Sequence, residues 1–158
     1  MSQHVFVDES KARSFLLVAV AVDSSHVDAL RSSLRAMRMK GQTRLHFRKE
    51  QPARRRKILS ELGRHPLEIT VLRSRATDEK TARDHCIAEL ATAVRWQPSS
   101  TLVLEKDDSR ERADRLTLRT AFRNAASPTP RHHLLPTRNE PGLWAADAIA
   151  WALQRGGT

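Results

Sequence analysis

The sequence has little of what defines several classes of protein. It contains one cysteine, Cys86, so no disulfide can form within the chain and no cysteine-based zinc cluster is available. It has no tyrosine, three tryptophans and four phenylalanines, which argues against an extended surface for stacking single-stranded bases. No apolar run approaches the roughly 20 residues that a membrane-spanning helix needs. These absences favour a cytoplasmic protein that has no membrane segment.

Acidic residues are also in the minority. Against 28 Lys and Arg the chain has 18 Asp and Glu, a net charge of +10, and this balance favours an anionic partner such as nucleic acid. A hydrophobic content of 39% over 158 residues suits one globular domain spanning residues 1–158. No helix-turn-helix, zinc-finger or RNA-recognition signature is present, so sequence-specific base readout is not predicted.

The densest basic region lies between residues 44 and 57. Its members either bind a nucleic-acid backbone or form a solvated helix face. They are Arg44, Arg48, Lys49, Arg54, Arg55, Arg56 and Lys57, with Glu50 as the single acid among them.

The apolar patterns predict an α/β domain. Two β-branched runs at residues 3–9 and 14–22 are separated by a short turn and predict an N-terminal hairpin. Later strands are expected at 67–73, 101–105 and 132–135, and helices at about 24–39, 52–63, 78–96, 109–125 and 141–156. Ser24 or Ser25 is the expected cap of the first helix. This order predicts a mixed five-stranded sheet with helices on both faces.

Acids stand in apolar surroundings at two places in the chain. Asp8 and Glu9 directly follow the run Val5-Phe6-Val7, and Asp147 is the only charge between residues 141 and 153. A buried carboxylate costs several kcal/mol unless something offsets its charge, and a shared divalent cation would do so. The alternatives are that Asp8 opens the hairpin turn and that Asp147 pairs with an arginine or a backbone amide.

A third acid ends the predicted fourth strand. Glu105 is followed by Lys106, Asp107 and Asp108, and Asp107 shares a face with Glu105 if the strand continues. Three carboxylates around one or two Mg²⁺ or Mn²⁺ ions are an arrangement for phosphodiester hydrolysis. Residues 105–108 are equally suited to a solvated loop that caps the next helix.

Histidines offer further candidates for proton transfer or phosphate contact. His46 lies between Leu45 and Phe47 in the loop after the first helix, where it can orient a water or have a structural role. His132 and His133 begin the predicted fifth strand, and one of them is a candidate proton shuttle to the acids.

Four short segments together resemble a widespread bacterial family of obscure function with a ribonuclease-H-like fold. They are Val5-Phe6-Val7-Asp8-Glu9-Ser10, Leu45-His46-Phe47, Leu102-Val103-Leu104-Glu105 and Leu143-Trp144-Ala145-Ala146-Asp147. The resemblance covers nearly the whole chain and implies a ribonuclease-H-like fold and a metal-dependent nuclease site at Asp8, Glu105 and Asp147.

The chain departs from that family's pattern at three places. Lys11 replaces a glycine, Glu105 replaces an aspartate, and Asn139-Glu140 precede the last helix where relatives often have serine. Glu140 either adds a ligand or favours the helix N-terminus through its charge.

The sequence therefore predicts a metal-dependent nuclease acting on RNA, DNA or a hybrid. Asp8, Glu105 and Asp147 are its expected metal ligands, with Asp107 as a further ligand candidate and His46 as a catalytic candidate. Two alternatives stay open. One is a nucleic-acid-binding module without activity, and the other is a protein-interaction component of a defence or toxin–antitoxin system.

Overall fold

Five strands form one sheet in the order β3-β2-β1-β4-β5 in the computed structural model, which describes residues 2–156. The strands are β1 (Gln3–Ser10), β2 (Phe15–Asp23), β3 (Leu67–Ser74), β4 (Thr101–Glu105) and β5 (Arg131–Leu135). β2 runs antiparallel to both β1 and β3, whereas β1, β4 and β5 are parallel. The predicted mixed sheet with an N-terminal hairpin is confirmed.

Helices cover both faces of the sheet, as predicted. They are α1 (Val27–Ala36), α2 (Pro52–Leu62), α3 (Glu79–Ala93), α4 (Glu111–Asn124) and α5 (Pro141–Gly156). Single 3₁₀ turns at Phe47–Lys49 and Thr137–Asn139 lie between the predicted helices and strands. None of the helices formed by residues 2–156 has the length and apolarity that crossing a membrane requires.

A side chain caps the start of α3, whereas the starts of α1, α2 and α4 have no side-chain cap. The Asp78 carboxylate accepts the backbone N–H of Thr81 at 2.9 Å and caps α3. The expected serine cap of α1 is wrong, because Asp23 accepts both the N–H and the hydroxyl of Ser25 and closes a turn there. α1 consequently begins at Val27, with no side-chain cap.

The central strands bury both of their faces. Phe6 belongs to a core shared with α1, α2 and α5, whereas Val5 and Val7 belong to a second core beneath α3 and α4. Because side chains alternate along a strand, Asp8 lies on the Phe6 face, towards α5, and Glu9 lies on the opposite face. The alternation thus assigns each acid to a different side of the sheet.

The start of α5 lies directly against β1. A Cβ atom added at Gly142 would lie 2.3 Å from Cε1 of Phe6, so only glycine permits this approach. The Trp144 indole N–H donates to the carbonyl of Thr137 at 2.6 Å and fixes the same end of the helix. Asp147, about a turn and a half beyond Gly142, is therefore held close to the end of β1.

We expect Gly142→Ala to destabilise the fold by about 1–3 kcal/mol, because the added methyl group overpacks the Phe6 ring. Urea denaturation measures the change. Gly63→Ala is the matched control, since a Cβ there meets only ordinary contacts at 3.4 and 3.6 Å. Equal losses in the two variants would contradict the close approach of α5 to β1.

Candidate active site

Asp8, Glu105 and Asp147 line one open cleft of about 820 Å³. β1 and β4 are parallel neighbours with Val7 opposite Leu104, so Asp8 and Glu105 are the next positions along adjacent strands. Asp147 reaches the same cleft from α5. The structure thus brings the three predicted acids to the carboxyl ends of two parallel strands, which is where open α/β sheets place their sites.

Negative charge is crowded at Asp8. Burial raises the pKa of this partly buried carboxyl well above its usual range, and the charges of Asp147 and, to a lesser extent, Glu105 and Glu9 raise it further. The Glu9 backbone N–H donates to Oδ1 of Asp8 at 2.8 Å and opposes the rise. A cation in the cleft would relieve this unfavourable crowding.

The Asp147 carboxylate already has partners from the loop after α1. Its Oδ2 atom lies 3.4 Å from Nη2 of Arg44 and accepts the Phe47 backbone N–H at 3.2 Å. The expected alternative of pairing with an arginine and a backbone amide is therefore realised for this acid.

The donor set fits a hard divalent cation in its chemistry, because carboxylate oxygens are the ligands that Mg²⁺ and Mn²⁺ prefer. Across residues 2–156, however, no group of three or more histidine, cysteine, aspartate or glutamate side chains is arranged to hold a metal ion as it stands. Asp147, bound by Arg44, is the acid whose charge is already offset.

Asp107 does not line the cleft. It lines an adjoining cavity of about 470 Å³ together with Arg83, and Asp8, Glu9 and Glu105 line both this cavity and the cleft. Oδ1 of Asp107 accepts the N–H and the hydroxyl of Ser109 at 3.0 and 2.7 Å, and these bonds lower its pKa. Asp107 thus closes the turn that leads into α4.

Glu140 is a structural residue. It is 4% exposed and accepts two hydrogen bonds from Arg31, at 3.0 and 2.7 Å. It also accepts the Gly142 N–H at 3.0 Å, at the N-terminus of α5. The sequence left two roles for Glu140, a metal ligand or a charge that favours the helix N-terminus, and the structure shows the second.

The proposed proton shuttle from β5 is wrong. His132 and His133 pair with Leu102 and Val103, whereas Leu135 pairs with Glu105. Since β4 and β5 are parallel, His132 and His133 come three and two residues before the position that pairs with Glu105, and neither lines the cleft.

His46 does lie in the cleft with the three acids. Burial lowers the pKa of its half-buried imidazole, the Arg44 charge lowers it further, and Asp147 partly opposes both effects. A neutral imidazole is thereby favoured, and this form can accept a proton or a hydrogen bond.

The basic region divides into residues at the cleft and residues bound within the protein. Arg44 and Arg48 line the cleft, and Lys49 lines an adjoining cavity together with Arg44. Arg56 and Lys57 are exposed on α2. The remaining two arginines, Arg54 and Arg55, hold backbone atoms in place.

Arg54 and Arg55 stabilise the loop that carries His46. Arg54 donates to the carbonyl of Met37 at 2.6 Å. Arg55 donates to the carbonyls of Phe47 and Arg48 at 3.0 and 2.7 Å, and its guanidinium lies 4.2 Å from the centre of the Trp151 ring. These two arginines therefore position the loop.

The sequence analysis did not identify several residues that line the cleft. They include Lys11, Trp151, Gln154 and Arg155. Trp151 is half-buried at the cleft wall. The spacing of four residues between Asp147 and Trp151 placed both on one helix face and was the available signal.

The opposite side of the sheet holds a buried ion-pair network that the sequence reading also missed. Arg83 of α3 bonds to the Asp114 carboxylate at 3.1 and 2.9 Å and also pairs with Glu9. Asp114 is 1% exposed and shares the buried stripe of α4 with Leu118. Its helical spacing from Leu118 signalled a buried acid.

The fold is similar to that of a chain in the solved structure of the PCNA:RNase HII complex from Archaeoglobus fulgidus. The TM-score is 0.62 and the identity 18%, and the match covers 98% of this chain and 73% of that chain. No family model and no curated protein matches the sequence. The ribonuclease-H-like fold is therefore shown, and at this identity the likeness concerns the fold alone.

We expect Asp8→Asn to alter how stability depends on pH. Because the folded protein holds the Asp8 proton more tightly than the unfolded chain, wild-type stability falls as pH rises from about 4, the ordinary carboxyl pKa, through the raised folded value. The variant lacks this loss, so its free energy of unfolding increases relative to that of wild type as pH rises. Urea denaturation in EDTA from pH 4 to 8 measures this difference in free energy.

Asp28→Asn is the control for the Asp8 experiment, because the Asp28 side chain is 94% exposed. A stability difference between Asp8→Asn and wild type that does not change with pH would contradict the crowded charge at Asp8.

Proposed function

We propose that the protein is a metal-dependent nuclease that hydrolyses phosphodiester bonds in RNA, DNA or an RNA–DNA hybrid. The observation that supports this most is the meeting of Asp8, Glu105 and Asp147 in one cleft of a ribonuclease-H-like fold. Arginines at the same cleft suit a substrate whose backbone is anionic.

Asp8, Glu105 and Asp147 would hold one or two Mg²⁺ or Mn²⁺ ions. When bound, such an ion polarises the phosphate and lowers the pKa of an attacking water. Burial and the neighbouring carboxylates raise the pKa of Asp8, which supports a role for this residue as a ligand, because a nearby cation would relieve the penalty of its charge.

The other cleft residues would bind the substrate and move protons. Arg44 and Arg48 can donate hydrogen bonds to phosphate oxygens, and Arg is suited to this by its planar set of donors. His46, kept neutral by burial and by Arg44, can accept a proton within the cleft.

Arg44 would have two successive partners. In the structure it neutralises Asp147 across 3.4 Å, and a bound cation would take over that task. The guanidinium would then be free for a substrate phosphate. This exchange keeps the charge of the cleft balanced before and after a cation binds.

A nucleic-acid-binding module without activity is the second candidate. It is favoured by one specific observation, the Arg44–Asp147 ion pair in a cleft where the acids of residues 2–156 form no metal centre as they stand. Binding that is indifferent to EDTA, in a wild-type protein that cuts nothing, would support this candidate.

Asp147→Asn should abolish cleavage and leave the fold intact, because it removes one carboxylate ligand without changing the side-chain volume. Labelled DNA and RNA duplexes, a hybrid and both single strands, each with Mg²⁺ or Mn²⁺, provide the assay, and thermal melting checks the fold. Asp107→Asn is the matched control, since it removes the same charge outside the cleft, and it should remain active. Absence of cleavage by the wild type would contradict the proposal.

Arg44→Gln should tighten Mn²⁺ binding roughly 2- to 5-fold, the effect of removing one partly exposed ion pair, and weaken substrate binding. Mn²⁺ titration followed by electron paramagnetic resonance measures the first effect without requiring activity. Arg48→Gln, at the same cleft, has no bond to Asp147 and should leave Mn²⁺ affinity closer to that of wild type. Equal Mn²⁺ affinities in wild type and Arg44→Gln would contradict the exchange of partners.

A further inference from the structure

α4 carries a straight row of arginines on its outer face. Arg112, Arg119 and Arg123 are seven and four residues apart, so they fall within about 40° of the helix circumference and span about 16 Å along it. All three are exposed. The row is separate from residues 44–57, since α4 covers the second core, on the other face of the sheet.

The positive charge of this row is not neutralised within the described chain. Among residues 2–156, the ion pairs of α4 and the turn before it involve other basic residues. They are Arg115–Glu111 at 3.2 Å, Lys106–Asp108 at 3.6 Å, and Asp114 with Arg83 and Arg110 at 2.9 and 3.9 Å. Asp108 and Glu111 line the same surface cavity as Arg112 and Arg119, but they pair with Lys106 and Arg115, so among the described residues no ion pair engages the row itself.

The neighbouring edge strand adds to the same positive surface. Arg131 is exposed at the start of β5. Burial lowers the pKa of His132 on this strand, and the charges of Arg115 and Arg119 lower it further despite a bond to the Pro130 carbonyl. The effect on His132 indicates that Arg115 and Arg119 of α4 lie near β5.

The row begins at the end of the sheet that carries the acids and leads away from that end. α4 follows β4 and returns the chain to the start of the parallel strand β5, so its first turn lies at the end of the sheet where Glu105 ends β4. Arg112 is accordingly the member nearest that end of the sheet, and Arg123 is the farthest.

We propose that Arg112, Arg119 and Arg123 form a second binding surface for the sugar–phosphate backbone of a nucleic-acid duplex. This inference rests on the proposed function, because it extends the footprint of the same substrate beyond the cleft. Exposed guanidiniums that are carried in a row by one helix suit the regular phosphates of a duplex. Of the described residues, α4 presents no aromatic side chain on this face, whereas single-strand binding depends on base stacking.

The test is the salt dependence of duplex binding. Fluorescence anisotropy with labelled 24-base-pair DNA, RNA and hybrid duplexes is measured in EDTA over a range of NaCl concentrations. Each lost phosphate contact reduces the magnitude of the slope of log K against log[salt] by roughly 0.9. The slope should therefore be smaller by about 2 to 3 in the triple variant Arg112→Gln, Arg119→Gln, Arg123→Gln. In the single variant Arg119→Gln the magnitude of the slope should fall by about 0.9. This variant keeps the test valid if the triple variant fails to fold.

A matched control separates a specific surface from net charge. Arg35→Gln, Lys40→Gln, Arg64→Gln removes the same charge from exposed positions on and after α1 and α2, and its slope should equal that of wild type. An unchanged slope in the α4 variants, or equal losses in both triple variants, overturns the inference. So does a wild-type protein that binds no duplex.

Failure of the nuclease proposal has a different signature. One outcome is that the wild type binds duplex, the salt slope decreases in the α4 variants as expected, and nothing is cleaved with Mg²⁺ or Mn²⁺. That outcome supports the second binding surface and contradicts the catalytic proposal. If the wild type cleaves and the α4 variants keep its binding slope, the catalytic proposal stands and the surface falls.

Discussion

Repulsion between carboxylates gathered in one partly buried cleft is the constraint around which the rest of the molecule is arranged. Asp8, Glu105 and Asp147 lie on three different elements, and burial together with the charges of the other two acids raises the pKa of Asp8. Unfavourable charge of this kind persists only where the surrounding packing enforces it. Here the two cores on either face of the sheet, and the contact between Gly142 and Phe6, hold the acids together.

The arginines of this chain divide into those that serve the fold and those that are available to a partner. Arg31, Arg55 and Arg83 bind carboxylates or backbone carbonyls and so stabilise the structure. Arg44 belongs to both groups, because it offsets Asp147 at the cleft. The net charge of +10 therefore overstates the positive surface that a nucleic acid can meet.

A shared fold at 18% identity illustrates how loosely sequence and architecture are coupled here. The architecture requires alternating buried strands, amphipathic helices and one close helix–strand contact, and many residue combinations satisfy these conditions. The chemistry depends on a few side chains at the carboxyl ends of strands, which is why the fold alone does not establish it.

The sequence by itself determined what depends on local period and capping. The bounds of β4 at Thr101–Glu105, the opposite faces of Asp8 and Glu9, and the start of α5 at Pro141 were all predictable, because strand alternation and turn chemistry act over a few residues. The tertiary structure alone decided which distant residues meet. The Arg44–Asp147 pair spans 103 positions, and the parallel register of β5 removed His132 from the cleft. Such contacts follow from how whole elements pack, which no local pattern encodes.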